Sequence, residues 1–377
     1  MKDYPKPESD VAPAPNIERM EQREACVERL YHEERLAAGQ MAERTAGGGA
    51  SMVTVTGATG HIGNVLVRDL LARAQRVRAL IPPCEDPAPL DGLNVEKVEG
   101  DILDVGSLVR AFKGSDVVYH LAGIVSIVPG KRDLLYRVNV VGTKNVVEAC
   151  LEAGVSRLVY TSSIHAIAEP PSGVVIDESL PFDPDRMEWE YDESKALATL
   201  EVLKAKDKGL DSVVLCPTGV VGPYDFRPSE MGQLFINYAR RSMRVYIDGA
   251  YDFVDVRDVA CGHVLACDKG GSGETYILSG ERVTVLELMQ MLERVTGVRA
   301  PRLKVPVWQA QSVAALAPLY SRLTGRRPLL TSYSVRTLQR NSFVSNAKAR
   351  RELGYSPRPL YESVADTIKW FKDTGRL

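Results

Sequence analysis

In WEYDESKALATL, residues 189–200, a tyrosine and a lysine stand four positions apart at Tyr191 and Lys195. Four residues is one helical turn, so phenol and ammonium project from the same face. A free phenol has a pKa near ~10, too high for easy proton exchange at neutral pH. A cation on the next turn stabilises the phenolate, lowers that value and brings the group towards the range of a working general acid. The same ammonium has donors to spare for ribose hydroxyls. Ser163 ends the apolar stretch SRLVYTSS upstream, where its hydroxyl could hold a carbonyl oxygen that Tyr191 protonates as hydride reaches the carbon. By itself a Tyr-x-x-x-Lys pair is an ordinary helical surface feature. Its chemical reading depends on the elements that position it.

Those elements alternate from residue 52. MVTVT reads as a strand, 62–74 as a helix, RVRALI and NVEKVE as strands, and 105–113 as a helix. DVVYHLA is a strand, 133–153 a helix, SRLVYTSS a strand, 188–208 a helix and SVVLC a strand. This rhythm builds a parallel sheet with helices on both faces, a Rossmann-type doubly wound α/β fold. The rhythm loosens after 217, which suggests a smaller C-terminal substrate-binding lid. The expected division is 52–216 for the nucleotide-binding domain and 217–377 mainly for the lid, with about 251–278 returning to the first domain. Residues 1–51 read as a disordered or helical extension: 1–15 is rich in proline and charge, and the helix-forming stretch 17–44 has a thin apolar face.

The first strand runs into TGATGHIG, 56–63, and then into an apolar helix. Gly57, Gly60 and Gly63 supply a tight turn, close backbone approach to a pyrophosphate and close helix–strand packing. A strand–turn–helix context is what a dinucleotide reading of such a triplet requires.

This G-x-x-G-x-x-G spacing, with the later motifs in order, resembles the extended branch of the short-chain dehydrogenase/reductase superfamily over about 52–374. The branch includes sugar-nucleotide epimerases, dihydroflavonol reductases and 3β-hydroxysteroid dehydrogenases. The resemblance implies that Gly57, Thr59, Gly60, His61, Ile62 and Gly63 hold the dinucleotide. It places Asp101 and Ile102 of GDILD at the adenine, and Leu121, Ala122 and Gly123 of HLAG along the cofactor. His120 reads as a strand-end side chain without chemistry. Asn139 of NVVGTKNV corresponds to a structural asparagine that supports a water relay behind the lysine. Ser163, Tyr191 and Lys195 match the catalytic set, and Pro217 and Val220 of CPTGVVGPYD lie near the carboxamide. YDFVDVRDVA, 251–260, and the stretch from Asn346 to Phe371 match later signatures. Val125, His165 and Tyr224 are candidates for substrate contact, because strand-end loops carry specificity. For His165 a solvated loop position is an equal alternative. The implied enzyme is an NAD(P)-dependent oxidoreductase, and the family's habit implies a homodimer through 133–153 and 188–208.

The cofactor phosphate is left open. Relatives of the reductase type carry a second arginine where this chain has Pro82; Arg78 remains, while Glu85 and Asp86 come late to reach a ribose. The leading activity is reduction of a ketone or aldehyde, or its reverse, on a small molecule. A nucleotide-sugar epimerase or dehydratase is the rival, with Arg227, Arg240, Arg241 and Arg244 as possible diphosphate ligands or as plain solvated charges. A non-catalytic dinucleotide sensor is the third reading.

Composition fits these readings. The chain has 377 residues, 25% charged and 45% apolar, with a net charge of −2, so nothing points to nucleic acid. No two of its six cysteines have Cys-x-x-Cys spacing, and MKDYPKPESD lacks an apolar leader. Reduced thiols, a cytoplasmic protein and no metal site are expected. No apolar run approaches the roughly 20 residues of a membrane span. The stretch 305–323 is apolar enough for a packed lid helix or for the wall of a lipid-like substrate pocket.

Overall fold

The computed structural model describes residues 51–126, 129–171, 173–315 and 331–377. The proposed helix at 17–44 and the second half of the 305–323 stretch lie outside the described residues.

Alternation within the strands builds the central sheet. In β1 (Met52–Thr56) Val53 and Val55 face one apolar cluster. Thr54 and Thr56 stay buried between them by pairing with Ser115 (2.6 Å) and His120 (2.8 Å). The same split recurs in β5 (Arg157–Thr161), where Val159 joins that cluster and Leu158 and Tyr160 join a second one on the other face. In β6 (Asp211–Pro217) Val213 and Leu215 face one way, Val214 and Cys216 the other. Strands buried on both faces need helices on both faces. Helices α1 (His61–Ala72) and α6 (Val256–Lys269) cover the first cluster. The second is covered by α2 (Val105–Phe112), α3 and α4 (Glu190–Lys204). Helix α3 starts at Arg132–Leu135, widens into a π turn over Tyr136–Val141 and continues as Gly142–Ala153. Helix α4 is shorter than the sequence pattern suggests: Trp189 is extended, and Ala205–Lys208 tightens to a 3₁₀ turn.

The seven strands run parallel in the order β3-β2-β1-β4-β5-β6-β10, with β2 Arg76–Ile81, β3 Glu96–Glu99, β4 Val117–His120 and β10 Thr275–Leu278. The order reverses between β1 and β4, and a crevice at the carboxyl ends of these two strands is where such sheets bind ligands. A smaller sheet joins β7 (Gly219–Val221), β9 (Ala250–Asp255) and β11 (Glu281–Thr284). With α5 (Glu230–Ala239), α7 (Val285–Thr296) and the C-terminal helix Leu360–Asp373 it encloses a third core around Phe235, Phe253, Leu292 and Phe371. The short helix Ser332–Thr337 brings Tyr333 against Tyr191 and Leu135.

Candidate active site

The turn after β1 admits only glycine at its key positions. Gly57 has φ +69°, and a Cβ there would lie 2.6 Å from the Ala122 nitrogen at the end of β4. A Cβ on Gly63 would lie 2.1 Å from the Gly57 carbonyl. Gly60 caps α1 without a side-chain hydrogen bond, and the first turn holds no acidic residue, so its leading N–H groups are free to meet an anion. Thr59 is buried beside them, and Ile62 packs on the core. The His61 ring lies 3.0 Å from the Pro223 carbonyl and ties the turn to the loop after β7. Leu121 donates from its backbone to Thr56 at 3.2 Å, and a Cβ on Gly123 would press the Asn139 amide at 3.2 Å. Asp101 accepts from the Leu103 nitrogen at 2.9 Å, and Ile102 packs on Gly142 of α3. These features form a cradle that suits a dinucleotide.

Glu85 does not fall short of this cradle, as its position in the sequence suggests. Cys84 adopts φ +67° and turns the loop back, so that Glu85 accepts from Thr59 Oγ1 at 2.8 Å and pairs with Arg227. Burial pushes the Glu85 carboxyl up, but the Arg227 and Thr59 hydrogen bonds outweigh it and hold the group below its ordinary value. Arg227 stays exposed, yet it is tied to this turn: it donates to Thr59 at 3.0 Å.

At the end of β5, Ser163 caps a short turn and accepts from the His165 nitrogen at 3.2 Å. Its hydroxyl lies near enough to the Tyr191 phenol to act on that group's acidity. Both residues are buried, as is Lys195 one turn further along α4. The Lys195 ammonium points to the sheet: it donates to the Thr161 carbonyl at 2.7 Å and to Tyr160 Oη at 3.0 Å, and sits 4.7 Å over the Tyr160 ring. Burial pushes Lys195 down to about 7. Burial also pushes Tyr191 up to about 12, against the opposing influence of Ser163. The expected lowering of the phenol by the lysine is thus reversed, because helix spacing says nothing of burial depth and the ammonium is committed to Thr161 and Tyr160.

Asn139 acts on the backbone. Its amide bridges the Ile124 N–H (2.8 Å) and carbonyl (3.0 Å) and donates to Ser194 Oγ at 3.0 Å. Ser194 in turn donates to the Tyr191 carbonyl at 2.8 Å, so one asparagine ties the segment after β4 to the helix carrying the phenol. His120 bonds Thr56 and Thr143 in the core, and burial holds it near about 3, a neutral structural ring.

Beside Ser163 lies a shallow cleft of about 30 Å³, partly open to solvent, whose walls include Ile164, Ile167, Ile176 and Val344. Here the sequence signal for His165 leads to more than a loop position. The ring lies 2.7 Å from Tyr251 Oη and 3.3 Å from Arg340 Nη1. Arg340 donates to Asp192 at 2.6 Å and lies 3.2 Å from Glu169, while Tyr333 donates to Asp192 at 2.9 Å. Asp192 is fully buried next to Tyr191. Asp192, Tyr333 and Arg340 carry no local motif, and Tyr251 opens the YDFVDVRDVA signature without being singled out within it. The other two candidates do not join this group. Tyr224 adopts φ +67° and lays its ring under the Arg68 guanidinium at 4.7 Å, on α1. Val125 is 69% exposed in the segment leading out of the cleft. Pro217 pairs with Leu278 at the end of β6, and Val220 with Val254 of β9.

The profile of a family described as the NAD dependent epimerase/dehydratase family matches residues 53–279. The chain belongs to that family, in the extended short-chain dehydrogenase/reductase group. It is 41% identical to sterol demethylase protein B of Methylococcus capsulatus, over 86% of this chain and 99% of that one. It is 34% identical to a 3beta-hydroxysteroid-dehydrogenase/decarboxylase of Arabidopsis thaliana, over 74% of this chain and 67% of that one. Among solved structures, the dTDP-glucose 4,6-dehydratase DesIV of Streptomyces venezuelae with NAD bound superposes with a TM-score of 0.68 at 26% identity, covering 85% and 97% of the two chains. The chain is thus an oxidoreductase of an NAD-dependent family. Among the described residues no helix is long and apolar enough to cross a membrane, and no cluster could hold a metal ion.

Proposed function

We propose that this enzyme interconverts a secondary alcohol and a ketone on a bulky, mainly apolar substrate of the sterol class, with NAD as the hydride carrier. The observation that carries the reading is that Ser163, at the end of β5, and Tyr191, on α4, are both buried and close enough for the serine hydroxyl to influence the phenol. Burial keeps the phenol protonated, so Tyr191 holds the proton that a carbonyl oxygen beside Ser163 would take, although the same burial weakens it as an acid. Lys195, buried and near neutrality, binds the ribose and supplies a charge that shifts readily with its surroundings. When bound, the dinucleotide supplies or accepts the hydride. The α1 N-terminus would hold its pyrophosphate, and Glu85, beside Thr59, would accept its adenosine ribose hydroxyls, which favours NAD over NADP.

Two observations support the substrate class. The cleft beside Ser163 has an aliphatic wall and two carboxylates, Glu169 and Asp252, while its one arginine, Arg340, is already paired with Glu169 and the buried Asp192. Such a surface suits a neutral ring system and repels a diphosphate. Relatives named for sterol and steroid chemistry agree with it. The nucleotide-sugar reading finds less support, since Arg227 is held by Glu85 and Arg240 by the Arg376 carbonyl. We also take the enzyme to be a dimer through α3 and α4, where Leu134 and Tyr136 are exposed; sedimentation at equilibrium would show a single-chain mass if this is wrong.

The deciding assay offers purified enzyme a 3β-hydroxysteroid with NAD, and separately UDP-glucose or dTDP-glucose. NADH formed from the steroid supports the reading. Conversion of the nucleotide sugar on retained NAD, with the steroid untouched, would replace it.

A further inference from the structure

We infer that Tyr251 is a substrate-positioning residue, a hydrogen-bond donor to an oxygen on the body of the substrate, and that His165 and Arg340 exist to free its proton for that task. The inference rests on the reaction proposed above but on different residues.

A guanidinium has donors and no acceptor. Arg340 Nη1 lies 3.3 Å from His165 Nδ1, so Nδ1 must be the ring's acceptor. The imidazole proton therefore sits on Nε2, 2.7 Å from Tyr251 Oη, and the histidine donates to the tyrosine oxygen. A doubly protonated ring would set an N–H against the guanidinium, and burial, the largest influence on His165, lowers its basicity and opposes that form. Arg340 cannot turn away, because Asp192 (2.6 Å) and Glu169 (3.2 Å) hold it from the other side.

A hydroxyl has one hydrogen to give. With its oxygen already accepting from His165, the Tyr251 proton is available, and among the described residues His165 is the hydroxyl's only hydrogen-bond partner. The ring is held in place. It stacks on His165 at 5.9 Å and 18°, meets Phe253 edge-on at 5.4 Å, and fills the space that a side chain on Gly219 would take at 2.7 Å. Tyr251 and His165 both line the cleft beside Ser163. Ser163 and Tyr191 serve the reacting oxygen, so the Tyr251 donor is left for a second one. The carboxylates around the cleft make that second group a neutral hydroxyl or carbonyl, not an acid.

Two arms test this. The chain has five histidines, so ¹⁵N-histidine labelling gives few imidazole signals, and His165→Gln assigns the one that matters. The expected His165 signal is the neutral Nε2–H form, unchanged between about pH 6 and pH 8. An Nδ1–H form, or a ring that titrates in that range, would mean that Tyr251 spends its proton on His165 or that Arg340 does not set the tautomer, and overturns the inference. The second arm uses dehydroepiandrosterone with NAD. Tyr251→Phe should raise KM about five- to tenfold with kcat within about twofold, the signature of lost binding through one neutral hydrogen bond. Unchanged KM in Tyr251→Phe refutes the role. If wild type leaves the steroid untouched, the substrate class proposed above fails, and the imidazole arm alone decides this inference.

Discussion

Along the dinucleotide side of the cleft, glycines bring backbone against backbone: Gly57 meets Ala122, Gly63 meets Gly57, and Gly60 leaves the α1 N–H groups open. Beside Ser163 the wall is made of side chains from separate segments, with His165, Asp192, Tyr251, Tyr333 and Arg340 interlocked. The first wall offers open backbone N–H groups, which suit a pyrophosphate without side-chain chemistry. The second holds buried charges in fixed pairs, where a single substitution changes both shape and electrostatics. One half of the site is constrained sterically and the other electrostatically, and substitutions should fail accordingly.

The largest effect is expected on the backbone side. Gly57→Ala forces a methyl to within 2.6 Å of the Ala122 nitrogen at a φ of +69°. NAD affinity should fall by more than about a hundredfold, as read by fluorescence titration, because the turn must open to accommodate it. Near-normal affinity would mean that this turn is not the cradle.

Next comes the charged side. Arg340→Ala strands Asp192, which is fully buried and keeps only the Tyr333 donor. Urea denaturation should show a loss of about 3–5 kcal/mol, and the double variant with Asp192→Asn should recover much of it. Equal losses in both variants would argue that Arg340 acts through packing alone.

The smallest effect concerns Lys195 in the dinucleotide-free protein. Its folded pKa, about 7, lies below the ordinary 10.5, so between these values the unfolded chain binds more protons. Wild-type stability should therefore rise with pH across that window, while below about 7 the full cost of burying the ammonium remains. Lys195→Met removes this cost. Its stability relative to wild type should be greatest near pH 6 and decline towards pH 10, and a pH-independent difference would contradict the assignment.

The contrast also explains what could be read from the sequence. Strand alternation and the TGATGHIG turn are local patterns, so the sheet and the order of the candidate catalytic residues follow from short windows of sequence. Arg340 reaches His165 across 175 positions, and no spacing rule connects them. Glu85 looked too distant because the left-handed Cys84 that folds its loop back is not a residue type that announces such a turn. Tyr191 and Lys195 were visible as a pair, but not the depth that raises one and lowers the other, since burial is set by Tyr160, Asp192 and the Tyr333 segment packed around them.

The most direct test of the central claim is steady-state turnover of Tyr191→Phe beside its NAD affinity. The loss of one oxygen leaves the ring, the Asp192 pair and the glycine cradle in place. Alcohol–ketone turnover should fall by at least about a thousandfold while NAD binding changes by less than about threefold. Turnover equal to wild type would show that the phenol does not carry the proton.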